Sequence, residues 1–296
     1  SGTSRLDVTF GQSNQPGLVF IDGTFNSMLL TVTGNVNIAG IVFTADRLVL
    51  NYAADTGRFA ATGDVSFTAR KSRVQIKLGS TAADGALSSG IVIENGSLTS
   101  MDAAITGGLD VSSVRLRSRS LRFEYQNSAG QSRFAVTGGT TLEFSAGGRT
   151  STIDATFGAS TQPGLVFVNG SFDSMLLTVQ GDVRISGLTL TAQNLVLTYD
   201  ANSGVFTARG TASFTARGAR VTVKLGSTAA DGVATDGLVI TNGSLTRLDA
   251  GVTGNFEIAK AKISSRNLRF QWVRNGAGSR FEMTGNATLE FRAGSN

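Results

Sequence analysis

Four arginines, Arg115, Arg117, Arg119 and Arg122, make the densest cationic cluster in a chain of 296 residues, and Lys262, Arg266 and Arg269 stand 147 positions further on as a thinner counterpart. Side chains two apart on a strand point to the same face, so Arg115, Arg117 and Arg119 are expected to form a row. Such a row can lie along a polyanion, such as an acidic polysaccharide or lipopolysaccharide, and draw it in by long-range attraction. It can equally be a solvated outer face, or a set of edge charges that blocks unwanted strand pairing. Aromatic side chains on which bases could stack are missing from that face, so nucleic acid is not expected.

Carboxylates recur at the same interval, Asp7 with Asp154, Asp102 with Asp249 and Glu143 with Glu290. Two of them could cleave a glycoside if they stood about 5 to 10 Å apart. Nothing in their spacing brings two together, and a single active site should break a repeat where these follow it. They read as exposed strand positions or turn-forming acceptors. Histidine and cysteine are absent, which removes the commonest general base near neutral pH, the thiolate and imidazole metal ligands, and any disulfide framework. No Asp-x-Asp-x-Asp-Gly loop offers calcium a cage, and Asp84-Gly85 and Asp231-Gly232 supply one carboxylate each. No catalytic residue, metal or cofactor is expected, and the chain is not expected to be an enzyme.

The elements that carry these residues repeat. Gly17-Leu18-Val19-Phe20 returns as Gly164-Leu165-Val166-Phe167, and Ser27 to Val32 returns as Ser174 to Val179, both at an offset of 147. The interval holds from Gly79 to Gly226 and from Gly138 to Gly285, so residues 1–149 and 150–296 are two copies. Each copy is itself a doublet, because Gly17, Gly90, Gly164 and Gly237 step by 73 or 74. The sub-units are expected at about 4–71, 72–149, 150–218 and 219–296. Neither end shows a polar capping repeat of the kind isolated arrays need, so the piece is expected to continue into like units, covalently or by association.

Within a unit the apolar residues alternate, as in Met28-Leu30-Val32 and Leu48-Leu50-Tyr52, which is the signature of half-buried strands. Their parity flips between Ala45 and Leu48, and again near Ala192 to Leu195, as a bulge requires. Leu48 to Phe59 is expected to form a hairpin with Gly57 in the left-handed position. Glycine is abundant at 37 residues and proline scarce at 2, which suits many tight turns. The fold is therefore expected to be all-β and mainly antiparallel, rolled into an elongated sandwich or open jelly roll, with a β-helix as the alternative. Phe59, Phe134, Phe206 and Phe281 take equivalent positions and are expected in the core, with Trp272 packing where the first copy has Tyr125. The Asn-Gly-Ser triplets starting at Asn95, Asn169 and Asn242 fit a glycosylation pattern and a hairpin turn alike, and the turn is preferred.

The stretch from Thr44-Ala45-Asp46-Arg47-Leu48 to Gly63-Asp64-Val65 resembles the OstA-type β-jellyroll repeats of bacterial lipopolysaccharide-transport proteins, over about 20 residues per unit. The resemblance implies an open β architecture whose apolar groove carries lipid acyl chains, without discrete catalytic residues. The regular period of 147 departs from that pattern.

A net charge of +5 drawn from 26 cations is a thin field that solubility explains, and no run of about 18 apolar residues marks a spanning helix. The chain is accordingly expected to be a structural or adhesive repeat of an extracellular or cell-surface fibre, sheet or giant repeat protein, with the periplasm as the alternative location. Copies of itself or neighbouring repeats are the expected partners. A module that binds polyanionic glycan or lipid is the second expectation.

Overall fold

A computed structural model describes residues 4–38, 41–69, 72–80, 88–111, 114–146, 149–159, 162–185, 188–216, 219–227, 234–258, 261–276 and 278–291. These residues form strands and turns, with no helix among them. The first repeat holds β1 (Arg5–Phe10), β2 (Leu18–Ile21), β3 (Thr24–Ile38), β4 (Ile41–Ala53) and β5 (Arg58–Ala69). The second holds β6 (Ser72–Leu78), β7 (Ile91–Glu94), β8 (Ser97–Val111), β9 (Val114–Ser128) and β10 (Gln131–Ala146). The third comprises β11 (Arg149–Phe157), β12 (Leu165–Val168), β13 (Ser171–Ile185), β14 (Leu188–Asp200) and β15 (Val205–Ala216). In the fourth are β16 (Ala219–Leu225), β17 (Leu238–Thr241), β18 (Ser244–Ile258) and β19 (Ala261–Asn275), followed by β20 (Gly278–Thr284) and β21 (Ala287–Phe291), which together match β5, β10 and β15.

Pairing follows one rule. Two short strands share one edge of the long strand after them, as β6 and β7 share β8, and their other edges share the long strand before them, as both pair with β5. The same arrangement places β16 and β17 between β15 and β18. Every described ladder is antiparallel, so a parallel β-helix does not describe the fold. No helix of the described residues is long and apolar enough to cross a membrane, which says nothing of strands.

Turn chemistry explains the register. Asp22-Gly23, Asn95-Gly96, Asn169-Gly170 and Asn242-Gly243 all have positive φ at both residues, the type I′ geometry whose twist matches a two-residue hairpin. The parity flips correspond to bulges, where β4 slips against β5 between Asp46 and Val49, and β14 against β15 between Gln193 and Val196. Arg47 and Asn194 take left-handed φ of 62° and 48° there. Gly63 and Gly210 face those bulges from the neighbouring strand, at φ near 125°, and a Cβ would fall within 2.2 or 2.3 Å of the Arg47 or Asn194 carbonyl oxygen. Only a residue without a side chain lets the backbones approach this closely. The expected hairpin forms at Ala53↔Arg58, with Gly57 at φ 57° and its N–H donating to the Ala54 carbonyl at 3.3 Å.

The buried interior is made of small residues, among them Ala60, Ala61, Ala103, Ala135, Ala208 and Ala250, with Val74, Val92 and Leu29. The aromatic expectation is corrected accordingly. Phe59, Phe134, Phe206 and Trp272 are half-buried and Phe281 is 59% exposed. Rings line the sheet in contact rows, such as Phe123, Phe134 and Phe167 with centroids 6.1 and 6.2 Å apart, while alanines are prominent among the buried residues.

The chain divides into two compact units, Ser1–Thr140 with Val166–Phe172, and Thr141–Leu165 with Asp173–Asn296. The division departs from the copy boundary at 149 because the turn of the β12–β13 hairpin docks on β10 in the first unit. The Asn169 N–H donates to the Ser132 carbonyl at 2.8 Å, Asn169 Oδ1 accepts from the Ser132 N–H at 2.8 Å, and Phe167 lies against Phe134.

Candidate functional site

Two clusters of charged side chains stand out, one duplicated between the copies and one that is not. The duplicated cluster is built where the short strands meet their long partner. In the first unit the Gly79 N–H donates to the Asp102 carbonyl at 2.8 Å and the Asp102 N–H to the Gly90 carbonyl at 2.6 Å. This backbone clamp recurs with Leu29 between Gly11 and Gly17, with Leu176 between Gly158 and Gly164, and with Asp249 between Gly226 and Gly237. Odd repeats therefore place a leucine where even repeats place an aspartate.

The aspartate comes with a partner. Arg122 lies one diagonal step from Asp102 in the β8–β9 ladder and donates to both carboxylate oxygens at 2.8 and 3.0 Å. Arg269 does the same to Asp249 at 2.8 and 2.8 Å. Odd repeats have Val49 and Val196 at the arginine position. The ion pair also ties down the base of the segment that follows Gly79, which reaches Gly90 in eleven steps where Gly11 reaches Gly17 in six. Ser88 Oγ donates to Asp102 at 3.0 Å and Arg122 donates to Ser80 Oγ at 3.0 Å. Ser227 and Thr235 complete the equivalent clasp in the second unit.

Electrostatics follow from this geometry. Burial pushes the Asp102 carboxyl up, but hydrogen bonds from Arg122, Ser80 and Ser88 and the guanidinium charge outweigh it and hold the group below its ordinary value. For Asp249 the Arg269 hydrogen bond dominates over burial and again lowers it. A carboxylate kept ionised by a bidentate arginine accepts hydrogen bonds and has no proton to give at neutral pH. The clasp anchors backbone.

The unduplicated cluster is basic. Arg115 and Arg117 face Asp110 and Gly108 across the β8–β9 ladder, and the register slips between Ser118 and Leu121. Counted along β8, Arg115, Arg117 and Arg122 fall on one face, and Arg119 lies in the stretch between Ser118 and Leu121 where the register slips. Arg73 on β6 joins Arg115 and Arg117 around an open depression of about 540 Å³ floored by Gly107 and Gly108. Its guanidinium donates to Ser66 Oγ at 3.2 Å. Arg73 was invisible as a site residue because it lies on a different strand, one brought alongside by the Val74↔Gly107 pairing. In the second copy Arg220 matches Arg73 and Lys262 matches Arg115, but Ser264 replaces Arg117, and Lys262 pairs with Glu290 at 3.6 Å. Arg266 is exposed, whereas Arg122 and Arg269 are engaged by aspartates.

The remaining carboxylates do not converge. Asp7 accepts from Arg5 at 3.1 Å and Asp154 from Thr141. Among the described residues no three acidic side chains gather into a metal-sized cluster. Asp84-Gly85 and Asp231-Gly232 lie outside the described residues. No protein family, curated protein or solved structure matches this chain.

Proposed function

We propose that the chain is a structural or adhesive repeat of an extracellular or cell-surface array. One observation carries this reading: the same dock joins successive repeats. The Asn95 N–H donates to the Gly57 carbonyl at 3.0 Å, that of Asn169 to Ser132 at 2.8 Å, and that of Asn242 to Gly204 at 2.9 Å. Each of these three type I′ turns thus seats on the first residues of the long strand, or the turn before it, in the preceding repeat. Adding a repeat needs no new chemistry, which is how repeat architectures grow. The paired clasps support the same reading, because their chemistry is spent on holding backbone. Electron microscopy of the native material tests it. An axial spacing of one or two repeats is expected, and dispersed particles without periodicity would overturn it.

The basic depression favours a second reading, as a module for polyanionic glycan. It departs from the repeat at Arg117 and Ser264, so the first copy gathers three arginines where the second has one arginine and one lysine. Retention on heparin that falls with added salt, and is lost in an Arg115→Ser, Arg117→Ser, Arg119→Ser variant, is the expected outcome. Retention that ignores the three substitutions would dismiss it.

A further inference from the structure

We propose that β20 and β21 of one copy receive β1 and β2 of a second copy as an added pair of strands, in the register that β5 uses for β7 and β6. The inference rests on the array reading and gives the array its joint.

Inside the chain a pair of short strands is bonded on both edges, as β6 and β7 are by β5 and β8. The described ladders give β1 and β2 only β3, and β20 and β21 only β19. Apolar exposure marks the same four strands. Among the described residues every large apolar side chain at least half exposed lies on them: Leu6, Phe10, Phe20 and Ile21 on one side, Phe281, Met283 and Leu289 on the other. Their equivalents are covered. Phe134 and Phe167 match Phe281 and Phe20, and those two rings lie against each other, while Val136, which matches Met283, is 7% exposed.

The internal ladders fix the register. Phe59↔Ile93 and Ala61↔Ile91 in the first unit, with Phe206↔Ile240 and Ala208↔Leu238 in the second, translate to Phe281 opposite Phe20 and Met283 opposite Leu18. Phe67↔Val74 and Phe214↔Val221 translate to Leu289 opposite Leu6. The next step sets Glu290 opposite Arg5, an opposite-charge pair that favours this register over its neighbours. The dock also transfers, since Asp22 matches Asn169 and Ser279 matches Ser132. Because the two surfaces differ, the contact is head to tail and does not close on itself as a symmetric dimer does. Strand addition supplies its hydrogen bonds from backbone groups alone.

The test is sedimentation equilibrium of the whole chain across a wide concentration range, alongside Phe20→Lys and Phe281→Lys variants. Both side chains are exposed, so the fold should persist, and circular dichroism checks that it does. Wild-type protein is expected to grow into open-ended oligomers, with each variant alone weakened at least about tenfold, or 1.4 kcal/mol. Equimolar mixing of the two is expected to give one-to-one dimers and nothing larger, since each retains one intact surface. Arg5→Glu and Glu290→Lys should each weaken assembly and pair when mixed. Wild-type protein that stays monomeric, or blocked variants that fail to pair on mixing, would overturn the joint. Assembly indifferent to all four substitutions would also overturn it while leaving the array reading intact; native material without periodicity removes that reading itself.

Discussion

Replacing Asp249 by asparagine leaves the Arg269 guanidinium without its counter-charge. The aspartate side chain is 4% exposed but the arginine is 43% exposed, so water compensates part of the loss and the cost is about 2 kcal/mol rather than that of a wholly buried pair. Asp102→Asn should cost less, because its side chain is 14% exposed; urea denaturation of both variants measures the order. The pH dependence has a definite sign. A carboxyl held below its ordinary value of 3.8 contributes stability that is complete above that value and is lost as pH falls through the depressed folded value. The chain itself suggests a control: Asp249→Leu with Arg269→Val copies the apolar solution of Leu29 with Val49. That double variant should stay within about 1 kcal/mol of wild type at neutral pH, since apolar replacement of an ion pair is often neutral, and should lose less stability in acid. Sequence could show that Asp102 and Asp249 recur, but it could not show them as partners of Arg122 and Arg269. The pairing depends on a bulge that shifts β9 by one residue, and simple alternation carries Arg122 to the wrong face.

Among the elements, the long strands and their bends were legible because apolar alternation and its parity flip are local signals. The Asn-Gly and Asp-Gly turns were legible too, since few other pairs tolerate positive φ twice. Which strand each short strand joins was not, because that depends on pairing between residues 30 or more apart, as with β5 and β7. Burial was misjudged for a related reason: an aromatic at a repeated position can line a face without being enclosed. Glycine substitutions test this level. Gly243 and Gly210 both have positive φ, but a Cβ on Gly243 meets open space while one on Gly210 falls 2.3 Å from the Asn194 carbonyl oxygen. Gly243→Ala should therefore cost about 1 kcal/mol of backbone strain, and Gly210→Ala up to about 3 kcal/mol as the bulge is forced apart. Chemical denaturation should show lower midpoints for both, in that order.

For the whole molecule, duplication provides four versions of one clamp under identical solvent conditions. The amides of Gly11, Gly79, Gly158 and Gly226 each donate at 2.8 Å to the residue on the long strand, two beside leucine and two beside an ionised aspartate. Protonating the aspartates removes the arginine's hold at the second and fourth positions only. Amide hydrogen exchange, compared among these four glycines so that intrinsic acid effects cancel, should stay closely matched at neutral pH. As pH falls below 3.8 toward the depressed values of the two aspartates, Gly79 and Gly226 should lose protection while Gly11 and Gly158 keep theirs. Acidity would then be written along this chain as an alternating rhythm of loosened and fastened segments, spaced by its internal repeat.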